Sequence, residues 1–306
     1  VPAVAPHALK EYVIYTDSDG KSRCEGHAAV RRLAGMTSLR YELLESLEAV
    51  AADANKYARK SACYDRELES ASRDGDCVVM LNADILLAED FLSEVVSIFA
   101  QGKTVIEVTG GRGLQLAITA AIDDRFRAAD GTVSITTAEL SRLWLANLHP
   151  QLMMHFVDGP HGTPFHPSHL YWGVGERGVI IRGFHLYPIA VKPPASRVRF
   201  AGTIDDDLVA RIGVSWDERF IAQDSRRLFC CELSPAEHHV GDVARREDRR
   251  SVIDFYLGYA RENVANLRHE IIITDEEELS EAWVTKRAES AAYAEALVAE
   301  LTEAFH

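Results

Sequence analysis

What this 306-residue chain lacks narrows it first. No stretch of 18 apolar residues occurs, so no segment reads as a membrane-spanning helix. Positive charge is in short supply: 33 Lys and Arg stand against 47 Asp and Glu, a net charge of −14. A nucleic-acid binder that relies on broad attraction to phosphates needs the opposite balance. Cysteine is sparse and odd in number; Cys24, Cys63, Cys77, Cys230 and Cys231 include no CxxC spacing. The adjacent pair cannot readily bridge, so reduced thiols and a cytoplasmic setting are expected. There is no signal-peptide pattern, no GxGxxG, no HExxH, no repeat and no low-complexity tract. What is present is a 47% hydrophobic content, enough for a large core.

The most informative stretch is 77–102. Five apolar residues, Cys77-Val78-Val79-Met80-Leu81, are short enough for a buried strand and run into Asn82-Ala83-Asp84. Phe91, Leu92, Val95, Val96, Ile98 and Phe99 then recur at helical spacing. Glu89 and Asp90 stand where an opening helix favours negative charge, and Gly102 where a helix stops. Ligands of open α/β sheets gather at the carboxyl ends of strands. A carboxylate there, with an amide two residues earlier, suits a hard divalent cation that itself holds phosphate oxygens. A simple turn is the plain alternative.

The segment VVMLNADILLAEDFL resembles the strand–DxD–helix segment of GT-A nucleotide-sugar glycosyltransferases, with Asn82 replacing the first aspartate. The resemblance, over roughly residues 12–240, implies an α/β fold: a GT-A-like, Rossmann-type mixed sheet flanked by helices. It divides the chain into a catalytic domain, 1–240, and a C-terminal helical extension, 241–306. It implies Mn²⁺ or Mg²⁺ at Asp84, with Asn82 beside the donor diphosphate. In such enzymes the preceding helix lies near the donor and often carries basic residues, here Arg59 among Lys56, Lys60 and Arg66; a solvated face of paired charges is the alternative. They also begin with a strand that contacts the base. Residues 1–9 are Pro- and Ala-rich and start at Val1 rather than Met, so either that strand is missing or the resemblance is a looser one.

Further along, RGFHLYPIAVKP followed by FAGTIDDDLV resembles a paired signature of bacterial GT-A-like transferases, in which a His-bearing strand and an acidic turn close the far side of the site. Asp205 and Asp207 are the expected catalytic carboxylates, since residues two apart share a side of an extended turn. Capping of the next helix by Thr203 or Asp205 is the competing role. By order along the chain His238, or its neighbour His239, fits the family's late metal-binding histidine.

Elsewhere, 12–15 reads as a strand ending in Asp17-Ser18-Asp19-Gly20, where an Asp caps the helix beyond. Residues 28–72 read as helical. Strand 104–109 runs into Gly110-Gly111-Arg112-Gly113, glycines that can let backbone N–H groups approach an anion, with Arg112 as a donor contact. A helix is expected over 135–148 with Thr136 or Thr137 as cap, another over 251–267, and a last one from a capping box at Thr274 and Glu277 to about 303. His149, His155, His161, His166, His169 and His185, half of the twelve histidines, fall among prolines and glycines in one irregular stretch. With Phe165 and Tyr171 it reads as a sugar-binding wall, with His169, Trp172 and His185 as pocket residues. The expected function is metal-dependent transfer of a sugar from a nucleotide diphosphate to a carbohydrate or glycan hydroxyl. No nucleic-acid partner is expected, and the last helix is available for homo-oligomer contacts. A sugar-phosphate nucleotidyltransferase, a zinc hydrolase built on the histidines, and a non-catalytic sugar-binding protein are the rivals.

Overall fold

The computed structural model describes residues 9–46, 56–159, 165–195, 203–204, 206–238 and 249–305. Strand β1 (Glu11–Thr16) ends at Asp17, whose carboxylate accepts the Gly20 N–H at 2.6 Å and caps α1 (Ser18–Gly26). Helix α2 (Ala28–Ala34), capped by His27, leads to β2 (Ser38–Leu43), parallel to β1 over its whole length. The helical pattern expected across 28–72 is therefore broken. Leu39, Tyr41 and Leu43 alternate with polar residues, the period of a strand. Helix α3 (Lys56–Asp74) then precedes β3 (Val78–Val79).

After Asn82–Asp84 the chain forms another short strand, β4 (Ile85–Leu87), before α4 (Phe91–Ala100). Helix α4 buries Phe91, Val95 and Ile98 and stops at Gly102, whose φ of +88° suits glycine. Next come β5 (Val105–Val108), β6 (Arg112–Leu114), α5 (Gln115–Arg125) and α6 (Thr137–Leu145), the last opened by a capping box of Thr136 and Glu139. Strands β7 (His169–Gly173), β8 (Gly178–Gly183) and β9 (Tyr187–Val191) follow, then α7 (Leu208–Ile212), β10 (Arg219–Ile221) and β11 (Cys230–Ser234). Helix α8 (Arg249–Leu257), a 3-10 stretch Arg261–Arg268, β12 (Ile271–Thr274) and α9 (Ala282–Ala304) complete the order.

The result is an α/β protein with several small sheets. One has the order β10-β5-β9-β3, with β9 antiparallel to both neighbours; a second is β4-β11-β6, a third the antiparallel β12-β8-β7, and β1-β2 form a pair. The C-terminal part is woven into the same architecture. Strand β12 pairs with β8, and α9 turns Trp283, Leu297, Val298 and Leu301 into a core shared with Leu170, Trp172 and Ile180. Those positions form a helical stripe, and each large apolar side chain so buried contributes about 1.5–3 kcal/mol. The segment expected as a helical extension is thus part of a core with β7 and β8. Thr274 ends β12, its hydroxyl accepting the Glu276 N–H, and α9 starts only at Ala282.

Candidate functional site

The site grows from the end of β3. Pairing with β9 continues past Val79 through the Met80 N–H, which donates to the Ile189 carbonyl at 2.7 Å. The chain then reverses: the Ile85 N–H donates to the Asn82 carbonyl, and the Leu233 N–H of β11 to the Asp84 carbonyl at 2.8 Å. Backbone bonds to two sheets therefore fix the turn while the Asp84 side chain stays exposed. The Tyr64 hydroxyl on α3 donates to Asn82 Oδ1 at 3.0 Å and lies 3.2 Å from the Tyr187 hydroxyl, which donates to the Met80 carbonyl at 3.1 Å. Burial pushes the Tyr64 hydroxyl up to about 12 despite the opposing bond to Tyr187; Cys63 and the nearby Asp84 add smaller upward pushes. Lys60, one turn before Tyr64, sets its ammonium 5.7 Å from the Tyr64 ring and 5.4 Å from the Tyr187 ring. Arg59, expected at the donor, is exposed on the same helix; the adjacent Lys60 makes the aromatic contacts.

A second group meets this one through the bend before β9. His185, two residues ahead of Tyr187, places Nε2 3.9 Å from Asp206 Oδ1, and the Tyr259 ring packs edge-on at 4.5 Å. Asp206 is held by the Ala260 N–H at 3.2 Å and by Asn263, whose amide donates to its carbonyl at 3.0 Å and to Oδ1 at 3.3 Å. Asp207 occupies the position before α7 but makes no side-chain cap; its carboxylate meets Arg211 at 3.4 Å. Thr203 serves the turn through its carbonyl, which accepts from the Asp206 and Asp207 N–H groups. Asp205, His161 and His239 lie outside the described residues.

The histidine stretch divides. The His155 ring lies 5.1 Å from that of His166 and 6.0 Å from that of His169, and the Ser168 hydroxyl lies between His166 and His169. Burial, reinforced by the neighbouring imidazoles, drives His155 far below its ordinary value and lowers His169 to about 3. His149 stands apart, with Nε2 2.7 Å from the Pro235 carbonyl. Among the described residues no three His, Cys, Asp or Glu side chains are arranged to hold a metal ion. His238 is half-buried, its N–H bonded to the Pro235 carbonyl.

Several expected site residues are structural. Trp172 is 3% exposed and packs edge-on against Tyr293; Phe165 and Tyr171 are buried too. Strand β7 lies between two cores, Tyr171 facing one and Leu170 and Trp172 the other, so these aromatics form no open sugar wall. His169 is enclosed in the imidazole cluster, with Nε2 shut away from solvent. Arg112 pairs with Glu232 at 3.1 Å and donates to Gln151 at 3.0 Å. Its flanking glycines serve packing: a Cβ at Gly111 would lie 2.6 Å from Trp144, and one at Gly113 2.3 Å from Ile118. Tyr64, Tyr187, Asp206 and Asn263 carry the observed geometry and were not singled out from sequence. Helical i,i+4 spacing of Lys60 and Tyr64 was the available signal for one of them. Compared with known proteins, the chain matches no family model, no curated protein and no solved structure.

Proposed function

We propose that this chain is a metal-dependent glycosyltransferase of GT-A-like type, taking a nucleotide-diphosphate sugar and a carbohydrate or glycan hydroxyl acceptor. The observation that carries the reading is the Asn82–Asp84 turn, fixed at a strand's carboxyl end beside Tyr64, Tyr187 and Lys60. The mixed α/β architecture is compatible with it. Mg²⁺ and Mn²⁺ favour oxygen ligands, and Mg²⁺ is commonly held by one or two carboxylates together with substrate phosphates and water rather than by an all-protein cage. The exposed Asp84 supplies one such carboxylate, while the Asn82 oxygen is engaged by the Tyr64 hydroxyl. The cation, when bound, neutralises charge on the departing diphosphate. Asn82 accepts the Tyr64 hydroxyl through Oδ1, which turns its amide N–H group to other partners, and Lys60 adds a fixed positive charge.

No helix among the described residues is long and apolar enough to cross a membrane, and all five cysteines are thiols. A cytoplasmic setting belongs to the same proposal. The test is titration of UDP and GDP with Mn²⁺, with and without chelator, on the wild type and Asp84→Ala. The substitution should abolish metal-dependent binding while the melting temperature holds, because Asp84 is exposed. Equal affinity in the two proteins would sink the assignment.

A further inference from the structure

Among the described residues, strands β1 and β2 form a two-stranded parallel pair that no other strand joins. Parallel sheets are normally covered on both faces and continued by further strands, and two strands alone are marginal. Here no residue of either strand is fully buried; Glu11 and Ser38 are exposed and the rest partly so. Lys10, next to β1, pairs with Asp76 ahead of β3, so that side of the pair faces its own chain. The open edge is that of β2. Among the described residues, no backbone group of 38–43 is bonded outside the pair except the Leu43 carbonyl, which accepts the Ser46 hydroxyl at 2.7 Å. No proline, lysine or bulge blunts this edge, although these are the usual devices against an added strand.

We propose that β2 is a self-association surface, which pairs antiparallel with β2 of a second copy of this chain to make a four-stranded sheet. A chain of net charge −14 repels its copy, so a contact between copies has to set opposite charges together. Strand β2 reads Ser-Leu-Arg-Tyr-Glu-Leu, with Arg40 and Glu42 two residues apart. In an antiparallel pair, facing residues point their backbone groups both toward each other or both away. A two-fold axis between identical strands therefore passes between a residue and its own copy. An axis at Arg40 sets two guanidinium groups opposite each other, and one at Glu42 sets two carboxylates opposite; both are destabilising. An axis at Tyr41 sets Arg40 against the partner's Glu42 twice and Leu39 against the partner's Leu43 twice. Of the three central registers, only this one is self-complementary. Its charged side chains are already ordered: Arg40 is held by Glu11 and Glu67, and Glu42 by Arg66, each at 3.0 Å. Association then costs little further side-chain entropy.

The test uses the full chain in sedimentation equilibrium, from micromolar to near-millimolar protein, with a nitroxide pair as a ruler. The wild type should pass from monomer to dimer over that range. Cys24→Ser and Cys77→Ser remove the native thiols that are not buried, and Ser38→Cys carries the label at an exposed position. In the register centred on Tyr41, Ser38 faces the partner's Leu44, so the two labelled backbones lie about 20 Å apart along the strands, read by dipolar coupling. Registers centred on Arg40 and Glu42 give about 13 Å and about 27 Å. Tyr41→Lys and Tyr41→Glu each set like charges on the axis and should weaken the dimer roughly tenfold. An equal mixture of the two sets an ammonium against a carboxylate and should restore it. The label separation is read with Tyr41 in place, so it decides the matter even where a Tyr41 variant fails to fold. A wild type that stays monomeric throughout, or a label separation that differs from the 20 Å register, would overturn the proposal. So would folded Tyr41 variants as dimeric as wild type, or a mixture of them no tighter than its parts.

Discussion

Acidification should destabilise this fold steeply, and two buried histidines set the size of the effect. His155 and His169 are enclosed with no carboxylate among the groups shaping their titration; what they face is other imidazoles. Burial favours their neutral forms, so both folded values lie below the ordinary 6.5, that of His169 at about 3. The unfolded chain takes up these protons near pH 6.5 and the folded chain only far lower. Stability is therefore full above pH 6.5 and is lost as pH falls below it, until the folded values are reached. Each proton costs about 1.4 kcal/mol per pH unit in that window. At pH 5, about 1.5 units below the unfolded value, the two residues together remove about 4 kcal/mol. Against a typical total of about 5–15 kcal/mol, that is a large fraction.

Urea unfolding followed by tryptophan fluorescence measures it, since Trp144 and Trp283 are buried. Wild type should lose about 4 kcal/mol between pH 7.5 and pH 5 through these two residues, beyond any background from carboxylates. His155→Gln and His169→Gln cannot take up the proton, and each should reduce the pH-dependent loss by about 2 kcal/mol, whatever it does to stability at pH 7.5. If the double variant loses as much between the two pH values as wild type, the reasoning fails, and the acid sensitivity belongs to other groups.

Two further outcomes follow from packing. Glu107, 1% exposed, is pushed up by burial and drawn back by the two-point bond from Arg219 at 2.7 and 2.9 Å; Arg219→Ala should cost about 3–5 kcal/mol in urea unfolding, and a loss under 1 kcal/mol would show that the pair is not structural. A Cβ at Gly178 would lie 2.3 Å from the Trp283 ring, so Gly178→Ala should cost about 1–3 kcal/mol, visible as a lower melting temperature; an unchanged melt would mean that α9 does not press on β8 there.

Local signals were legible where local chemistry decides the outcome. The Gly102 stop of α4 and its buried Phe91, Val95 and Ile98 appear as read, and of the alternatives left open Asp17 and Thr136 are the caps; the apolar run before Asn82 forms only the two-residue, half-buried β3, with Cys77 exposed. Strand β2 was hidden because a six-residue alternation inside a stretch without proline looks helical beside α2 and α3. Strand β4 was hidden because its partner, β11, lies more than 140 residues away and nothing local announces the pairing. Trp172 and Tyr171 resembled a binding wall because aromatics near prolines and glycines look exposed; a strand covered on both faces buries both. The acidic turn was read as extended, where residues two apart share a side. Asp205 lies outside the described residues; of the other two, both N–H groups bond to the Thr203 carbonyl, and Asp206 faces His185.

The register of one strand pair explains why the candidate residues meet at all. Strand β9 runs antiparallel between β3 and β5, so its first residues arrive where β3 ends. Val78 stands opposite Val191 and Val79 opposite Ala190. Continued three residues, the same register sets Asn82 opposite Tyr187, and the Tyr64 hydroxyl bonds across that junction to both side chains. His185 then projects two residues beyond, toward Asp206. A one-residue slip would turn every β9 side chain to the other face and bury the wrong set, so the two cores that β3, β5 and β9 help build hold the register. The alignment of an amide, two phenols and an imidazole at one sheet edge is therefore a consequence of core packing. It is set by the fold itself, which is what the cation turn proposed above requires.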